Sequence, residues 1–354
     1  MEVGLCSLGD HRADPTTGAW TTQAERHANI MEYLLAAEPL GFDAVVCGEH
    51  HFSGFIMSVP QIFLAWLAAQ TKRVRLATGV TLLPHHDPVR IAEDFSTLDV
   101  VSGGRAELWV GKGVEPYVYA HFGQDAQRAG DMQREGILLL QKLWTEKNVS
   151  WQGEFRPPLN GVTLQPRPVQ SPHPPIYVAA SSAGSFEEAA RLGANLTLTG
   201  ISVDLEAMPR MRDRYLQVWR ECGHKHEPRI TVLLHVYCAP TSQEALEHLG
   251  QYQAPFSAWV LSKRMNTTPD KVQLSPRITN LSGPESSIAC GSPQAVLDKI
   301  CQVTELMGAD RFIVQSDYGG QPWPKVMRSL ELFSHQVLPK LKKIDAAASH
   351  LAHV

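Results

Sequence analysis

Apolar residues follow two alternating patterns along this chain. Short runs with strand character lie at Val3–Leu8, Ala44–Cys47, Val74–Thr81, Ala106–Val110, Ile176–Ala180, Leu196–Thr199, Ile230–Tyr237 and Phe312–Gln315. Between them apolar positions recur at helical spacing, over Ala24–Ala37, Pro60–Gln70, Val89–Val101, Gly130–Leu143, Ser185–Leu192, Leu205–Glu221, Gln243–Leu249 and Pro293–Met307, with a last stretch at Pro322–Leu341. Strands that alternate with helices pair in parallel, because each crossover needs a helix-sized connection. Eight such units over this length predict one α/β domain, a closed (β/α)8 TIM barrel over residues 1–343, with inserted loops at the face where the strands end. The Ala- and His-rich tail, 344–354, is expected to fray.

Local signals mark the helix ends. Asp87-Pro88 and Ser292-Pro293 each put a capping side chain before a proline at the first helical position. Ser102-Gly103-Gly104 stops the helix between them. Two segments break the rhythm. Residues 144–175 hold Pro157-Pro158, Pro166-Arg167-Pro168 and Pro172-His173-Pro174-Pro175, and read as an ordered excursion. Residues 254–291 are polar and irregular, and read as a mobile loop over the site. Both are expected to shape the pocket.

Composition narrows the function. The 354 residues carry 32 Lys and Arg against 36 Asp and Glu, a formal net charge of −4. That balance gives no electrostatic reason to expect nucleic acid or an anionic membrane as partner. The N-terminal segment has neither the basic nor the apolar region of a signal peptide, and no apolar stretch is long enough to span a bilayer. Six scattered cysteines with no CxxC point to reduced thiols in the cytoplasm.

Chemistry is expected where barrel strands end. The second strand runs into Gly48-Glu49-His50-His51-Phe52, and ionisable side chains in a row suit an active-site rim. The third runs into Leu83-Pro84-His85-His86-Asp87. The fourth gives Gly111-Lys112-Gly113-Val114 and the fifth Ser181-Ser182-Ala183-Gly184-Ser185. The last two loops read as an anion site: glycines for close backbone approach, a lysine charge, hydroxyls and a helix start. An ordinary turn and N-cap account for the same residues equally well. No resident metal is expected, since neighbours on an extended segment point oppositely and each His pair offers at most one ligand to a common centre. His50 is the stronger candidate for chemistry and His86 reads as a solvated loop residue.

These segments, with Gly41-Phe42-Asp43, Asp87-Pro88-Val89-Arg90, Ser102-Gly103-Gly104-Arg105 and the run from Gly291-Ser292-Pro293 to Leu338, resemble the bacterial luciferase-like flavin monooxygenases over nearly the whole chain. The resemblance implies reduced FMN and O2, meeting as a C4a-(hydro)peroxyflavin, to oxygenate a small organic substrate. It implies His50 as the catalytic histidine with Glu49 and His51 beside it. It implies Lys112, Gly113, Val114, Ser181, Ser182 and Ser185 at the flavin phosphate, and Gly79 and Val80 against the flavin ring, often through a non-proline cis peptide. It also implies a homodimer. Two departures stand out: Lys112 replaces an arginine fork by a point charge, and Gly111 stands where the luciferase has a reactive cysteine. Phe52, Phe55, Trp109, Tyr117, Tyr119 and Phe122 are candidates to keep the site dry.

No GxGxxG with its downstream acid is present, so a separate NAD(P)H:flavin reductase is expected to supply reduced flavin. Three other readings stay open: an F420-dependent oxidoreductase of the same superfamily, a non-catalytic flavin-binding subunit, and a metal-dependent barrel hydrolase. Hydroxylation, Baeyer–Villiger insertion and N-oxidation are all compatible with the residues.

Overall fold

The computed structural model describes residues 1–200 and 204–344; the expected tail lies, apart from Ile344, outside them. Eight parallel strands close into a barrel: β1 Glu2–Ser7, β2 Ala44–Cys47, β3 Arg75–Thr78, β4 Ala106–Gly111, β5 Ile176–Ala179, β6 Asn195–Thr199, β7 Ile230–Cys238 and β8 Arg311–Gln315. Neighbours pair in chain order and β8 returns to β1, Val3 opposite Phe312. The (β/α)8 expectation holds.

The strands are buried on both faces, so residues one apart enter different cores. Cys6, Val46, Ala77, Trp109, Tyr177, Leu233 and Ile313 fill the barrel interior. Val45 and Cys47, flanking Val46, pack outward with the helix layer. At the floor, where strands begin, a charged plug replaces apolar filling. The Arg311 guanidinium donates to both Glu107 oxygens at 2.6 and 3.0 Å, and Arg75 Nε and Trp109 Nε1 donate to the same carboxylate at 2.8 and 3.2 Å.

The cap readings hold. Asp87 accepts from Val89 N and Ser292 from Ala295 N, and Gly103 ends its helix in the left-handed conformation. Strand three is shorter than expected. It stops at Thr78, the Gly79–Val80 peptide is cis, and Thr81–Leu82 then pairs with the end of β4. Thr78 Oγ bridges the break, donating to Trp109 O at 3.0 Å.

The irregular loop expected over 254–291 is shorter than that: 265–287 is irregular apart from two short helical turns, and both flanks are regular. Helix Ser242–Arg264 runs unbroken through Pro255, and Ile288–Gly291 is a strand paired with the end of β7. Buried Leu249, Tyr252 and Phe256 recur at helical spacing through the polar Gln251-Tyr252-Gln253 stretch, so tertiary packing overrides the proline. Residues 144–175 form a hairpin, Val149–Trp151 with Leu159–Val162, then a segment that threads along the barrel floor: Gln170 bonds Asp99, Arg75 and Ala106 O.

Candidate active site

A cavity of about 260 Å³ opens where the strands end. Glu49, His50, Gly79, Val80, Lys112, Gly113, Val114 and Ser181 line it, as does His85. His51, Ser182 and Ser185 do not. None of its lining residues comes from 144–175, contrary to the expectation that this excursion shapes the pocket.

Glu49 is the organising residue. Its side chain is fully buried. Oε1 accepts from His51 Nε2 at 2.9 Å and from His86 Nε2 at 2.7 Å, and Oε2 accepts from Leu82 N at 3.2 Å. Burial alone would raise its pKa. The hydrogen bonds from His51 and His86 outweigh that and hold the carboxyl at about 2. His86 is therefore not a solvated loop residue. It loses solvation, yet Glu49 raises its pKa. One residue of each histidine pair reaches a common centre, and three ligand-type atoms lie within 4.8 Å of one another; the hydrogen bonds to Glu49 account for that closeness.

His50 faces the cavity instead. Its ring stacks on Phe55 at 3.9 Å between centroids, and Nδ1 is buried with no hydrogen-bond partner among the described residues. Burial lowers its pKa to about 4, with smaller downward contributions from His51 and Arg264 against the pull of Glu49. The ring is thus neutral near pH 7, an acceptor rather than a charged acid. His85 is likewise lowered to about 4 by burial. It stacks on Phe122 at 4.9 Å and meets the Tyr119 ring edge-on at 4.5 Å.

The aromatic candidates divide. Trp109 is buried in the cavity wall, and Phe55 backs His50. Phe52 is 66% exposed and shields nothing. Tyr117 bonds Glu115, and the Tyr119 hydroxyl donates to Lys112 O, fixing the loop that carries the lysine. Gly111 is demanded by its neighbour: a Cβ there would lie 2.5 Å from Val80 Cγ2.

At the fifth strand, Ser182 caps helix Ala183–Arg191, accepting from Ser185 N. Ser185 Oγ accepts from Ser181 N and Ser182 N and donates to Ser182 O at 2.7 Å. Those two hydroxyls serve the cap. The sequence reading missed Arg264 and Glu115, which also line the cavity. Arg264 went unseen because its segment read as loop.

The donor set suits a reduced flavin mononucleotide. Leu8, Val46, Trp109 and Leu233 make apolar walls, Lys112 stands exposed at the rim, and the His50 ring, whose buried Nδ1 is an orphaned polar atom, lines the same space.

Comparison with known proteins agrees. Residues 1–311 match the family described as luciferase-like monooxygenase. The oxygenase component of flavin-dependent trigonelline monooxygenase from Acinetobacter baylyi is 27% identical over 342 residues, covering 93% of this chain and 94% of that protein. The F420-dependent glucose-6-phosphate dehydrogenase of Kineococcus radiotolerans is 32% identical over 219 residues, 58% of this chain and 64% of that one. Among solved structures, monooxygenase RslO1 from Streptomyces bottropensis superposes with a TM-score of 0.82 at 26% identity, covering 96% of this chain and all of that one. The chain belongs to the luciferase-like monooxygenase family.

Proposed function

We propose that this chain is the oxygenase component of a two-component monooxygenase, using reduced FMN and O2 on a small organic substrate. The observation that carries this is the cavity itself. A neutral His50 ring and a cationic rim at Lys112 face one cavity with apolar walls at the barrel mouth. The trigonelline relative, an oxygenase component by name, supports it, and such components depend on a separate NAD(P)H:flavin reductase.

Bound flavin supplies the oxygen chemistry. The chain's residues do the rest. Lys112 attracts the phosphate as a point charge, assisted by the Gly113 and Val114 backbone and by Ser181. The Gly79–Val80 backbone, which lines the cavity, would face the ring. Trp109, Val46 and Leu233 exclude water from the reacting atoms. The neutral His50 ring lining the cavity would accept a proton or hydrogen bond there. Glu49 and His51 act one step back, as positioning residues that hold the His50 loop against Leu82.

Among the described residues no helix is long and apolar enough to cross a membrane, and a cytoplasmic location is part of the same reading. So is a homodimer. Exposed Val59 and Ile62 at helix Pro60–Gln70, with Val100 and Val101 on helix Pro88–Ser102 packed beside it, suit a second copy.

The test is stopped-flow absorbance of protein with reduced FMN mixed into oxygenated buffer. The expected result is flavin oxidation slower than in free solution, with the delay shortened in His50→Ala and FMN affinity reduced in Lys112→Ala. Oxidation at the free-flavin rate would overturn the reading and move it toward F420, the cofactor in the name of the Kineococcus relative.

A further inference from the structure

Helix Ser242–Arg264 ends over the cavity, and its last turn is built into the site. Trp259 packs on Phe55 at 4.8 Å between ring centroids, and Phe55 stacks on His50. Gly54 lets the helix come this close, since a Cβ there would lie 2.6 Å from Trp259 Cζ2. Arg12 fastens the helix from the other side, donating to Pro255 O at 3.0 Å with its guanidinium 4.8 Å above the Trp259 ring. Arg264 completes that turn and lines the cavity.

Two cations therefore face one cavity from different elements. Lys112 follows β4, next to the Ser181 loop after β5. Arg264 comes from the helix lying over the loop after β2, near enough to His50 for its charge to depress that ring. Two carboxylates line the space as well. Glu49 spends its oxygens on His51, His86 and Leu82. Glu115 is buried, accepts from the Tyr117 hydroxyl and tempers Arg264 through its charge. A guanidinium presents a planar fork that matches a carboxylate through two parallel hydrogen bonds, and a partly desolvated one strengthens them. Its floor of aromatic and aliphatic side chains favours a ring or short chain behind the anionic group.

We infer that Arg264 recognises a carboxylate on the substrate, so that the oxygenated molecule is a small aromatic or alicyclic acid held with its anionic end toward the helix and its body beside His50. This rests on the flavin reading for the reaction, but not for the binding. It makes Arg264 a specificity residue.

The experiment uses the full chain with and without FMN, and isothermal calorimetry with benzoate, nicotinate, phenylacetate and cyclohexanecarboxylate, each paired with its neutral amide. At least one acid is expected to bind more tightly than its amide by on the order of 10- to 100-fold, the loss expected for one charge-assisted hydrogen-bonded contact. Arg264→Met removes that preference, Arg264→Lys restores part of it, and affinity for FMN keeps its wild-type value in both. Three results overturn the inference. No acid binds even at millimolar concentration, or acids and amides bind alike. Arg264→Met weakens FMN and leaves the acid preference, which makes the arginine a flavin ligand. Arg264→Met only destabilises the fold and Glu115→Gln cancels the loss, which makes it the counter-charge of Glu115. Failure of FMN to bind wild-type protein is a separate result, and counts against the flavin reading alone.

Discussion

Glu49 and Glu107 are buried at opposite ends of the barrel, and both are held at a pKa of about 2. They reach that value by different means. At the floor, burial raises the Glu107 pKa and the permanent charge of Arg311 pulls it down, with Arg75 adding to it. At the mouth, Glu49 is held by two imidazoles and one backbone amide. Guanidinium groups keep their charge at any working pH, whereas imidazoles gain and lose theirs near neutrality. With Arg311 Nε also donating to Glu2 at 2.7 Å, the floor is thus a fixed plug that ties the starts of β1, β3, β4 and β8 together. The mouth is an assembly whose charge the solution can change, and it stands beside the reacting space.

The same substitution at both ends is the sharpest way to break this comparison. Glu107→Gln leaves buried Arg311 with Glu2, at the barrel's edge, as its remaining carboxylate and takes the ion pair from half-buried Arg75, and should cost about 3–5 kcal/mol in urea unfolding at pH 7. Glu49→Gln removes a charged acceptor but leaves an amide oxygen in its place and strands no permanent charge. It should cost about 1.5–3 kcal/mol. It should also impair flavin-dependent turnover in the folded protein, whereas folded Glu107→Gln should bind FMN normally. Equal costs, with equal effects on FMN binding and turnover, would erase the distinction between plug and site.

A smaller effect separates the histidines of the mouth. His50 and His85 are both lowered to about 4, chiefly by burial. The unfolded chain takes up those protons first as pH falls, so stability is full above about 6.5 and declines from there toward 4. FMN binding should accordingly persist to lower pH than an ordinary histidine would permit. An acid limb near 6.5 in the binding profile that disappears in His50→Gln would show that His50 titrates as an ordinary solvated imidazole.

The sequence carries most of this architecture and only part of the site. Strand positions were legible because each strand is apolar on both faces and each crossover helix keeps its caps, as at Asp87 and Ser292. The loop after β2 stood out because Glu49, His50 and His51 are costly side chains at the end of an apolar run. The division of labour among them was not legible. Which of three adjacent residues turns inward depends on Leu82 N, His86 and Phe55, which arrive from elsewhere in the chain. Arg264 was hidden by Pro255 and by the polar Gln251 and Gln253, and the burial of Gln253 is something only the folded barrel reveals. The Ser182 and Ser185 hydroxyls illustrate the converse: two readings, cap and phosphate ligand, share one spacing, and the observed bonds serve the cap.

The smallest predicted effect tests the mouth most directly. His86 has its pKa raised, because Glu49 outweighs the cost of burying the ring. A raised histidine adds stability that is complete below the unfolded value near 6.5 and is lost as pH rises through the folded value, the opposite slope to His50 and His85. Proton NMR of the imidazole ring should therefore place His86 above 6.5 in the wild type. In Glu49→Gln it should fall below that value, since burial then acts unopposed. A His86 resonance that titrates identically in both proteins would remove Glu49 as its partner. If the shift is as predicted, the deprotonated ring still carries its hydrogen on Nε2 and still donates to Glu49. Raising the pH then takes a charge from the mouth without breaking its hydrogen bonds, which is the kind of change the Arg311 plug at the floor cannot undergo.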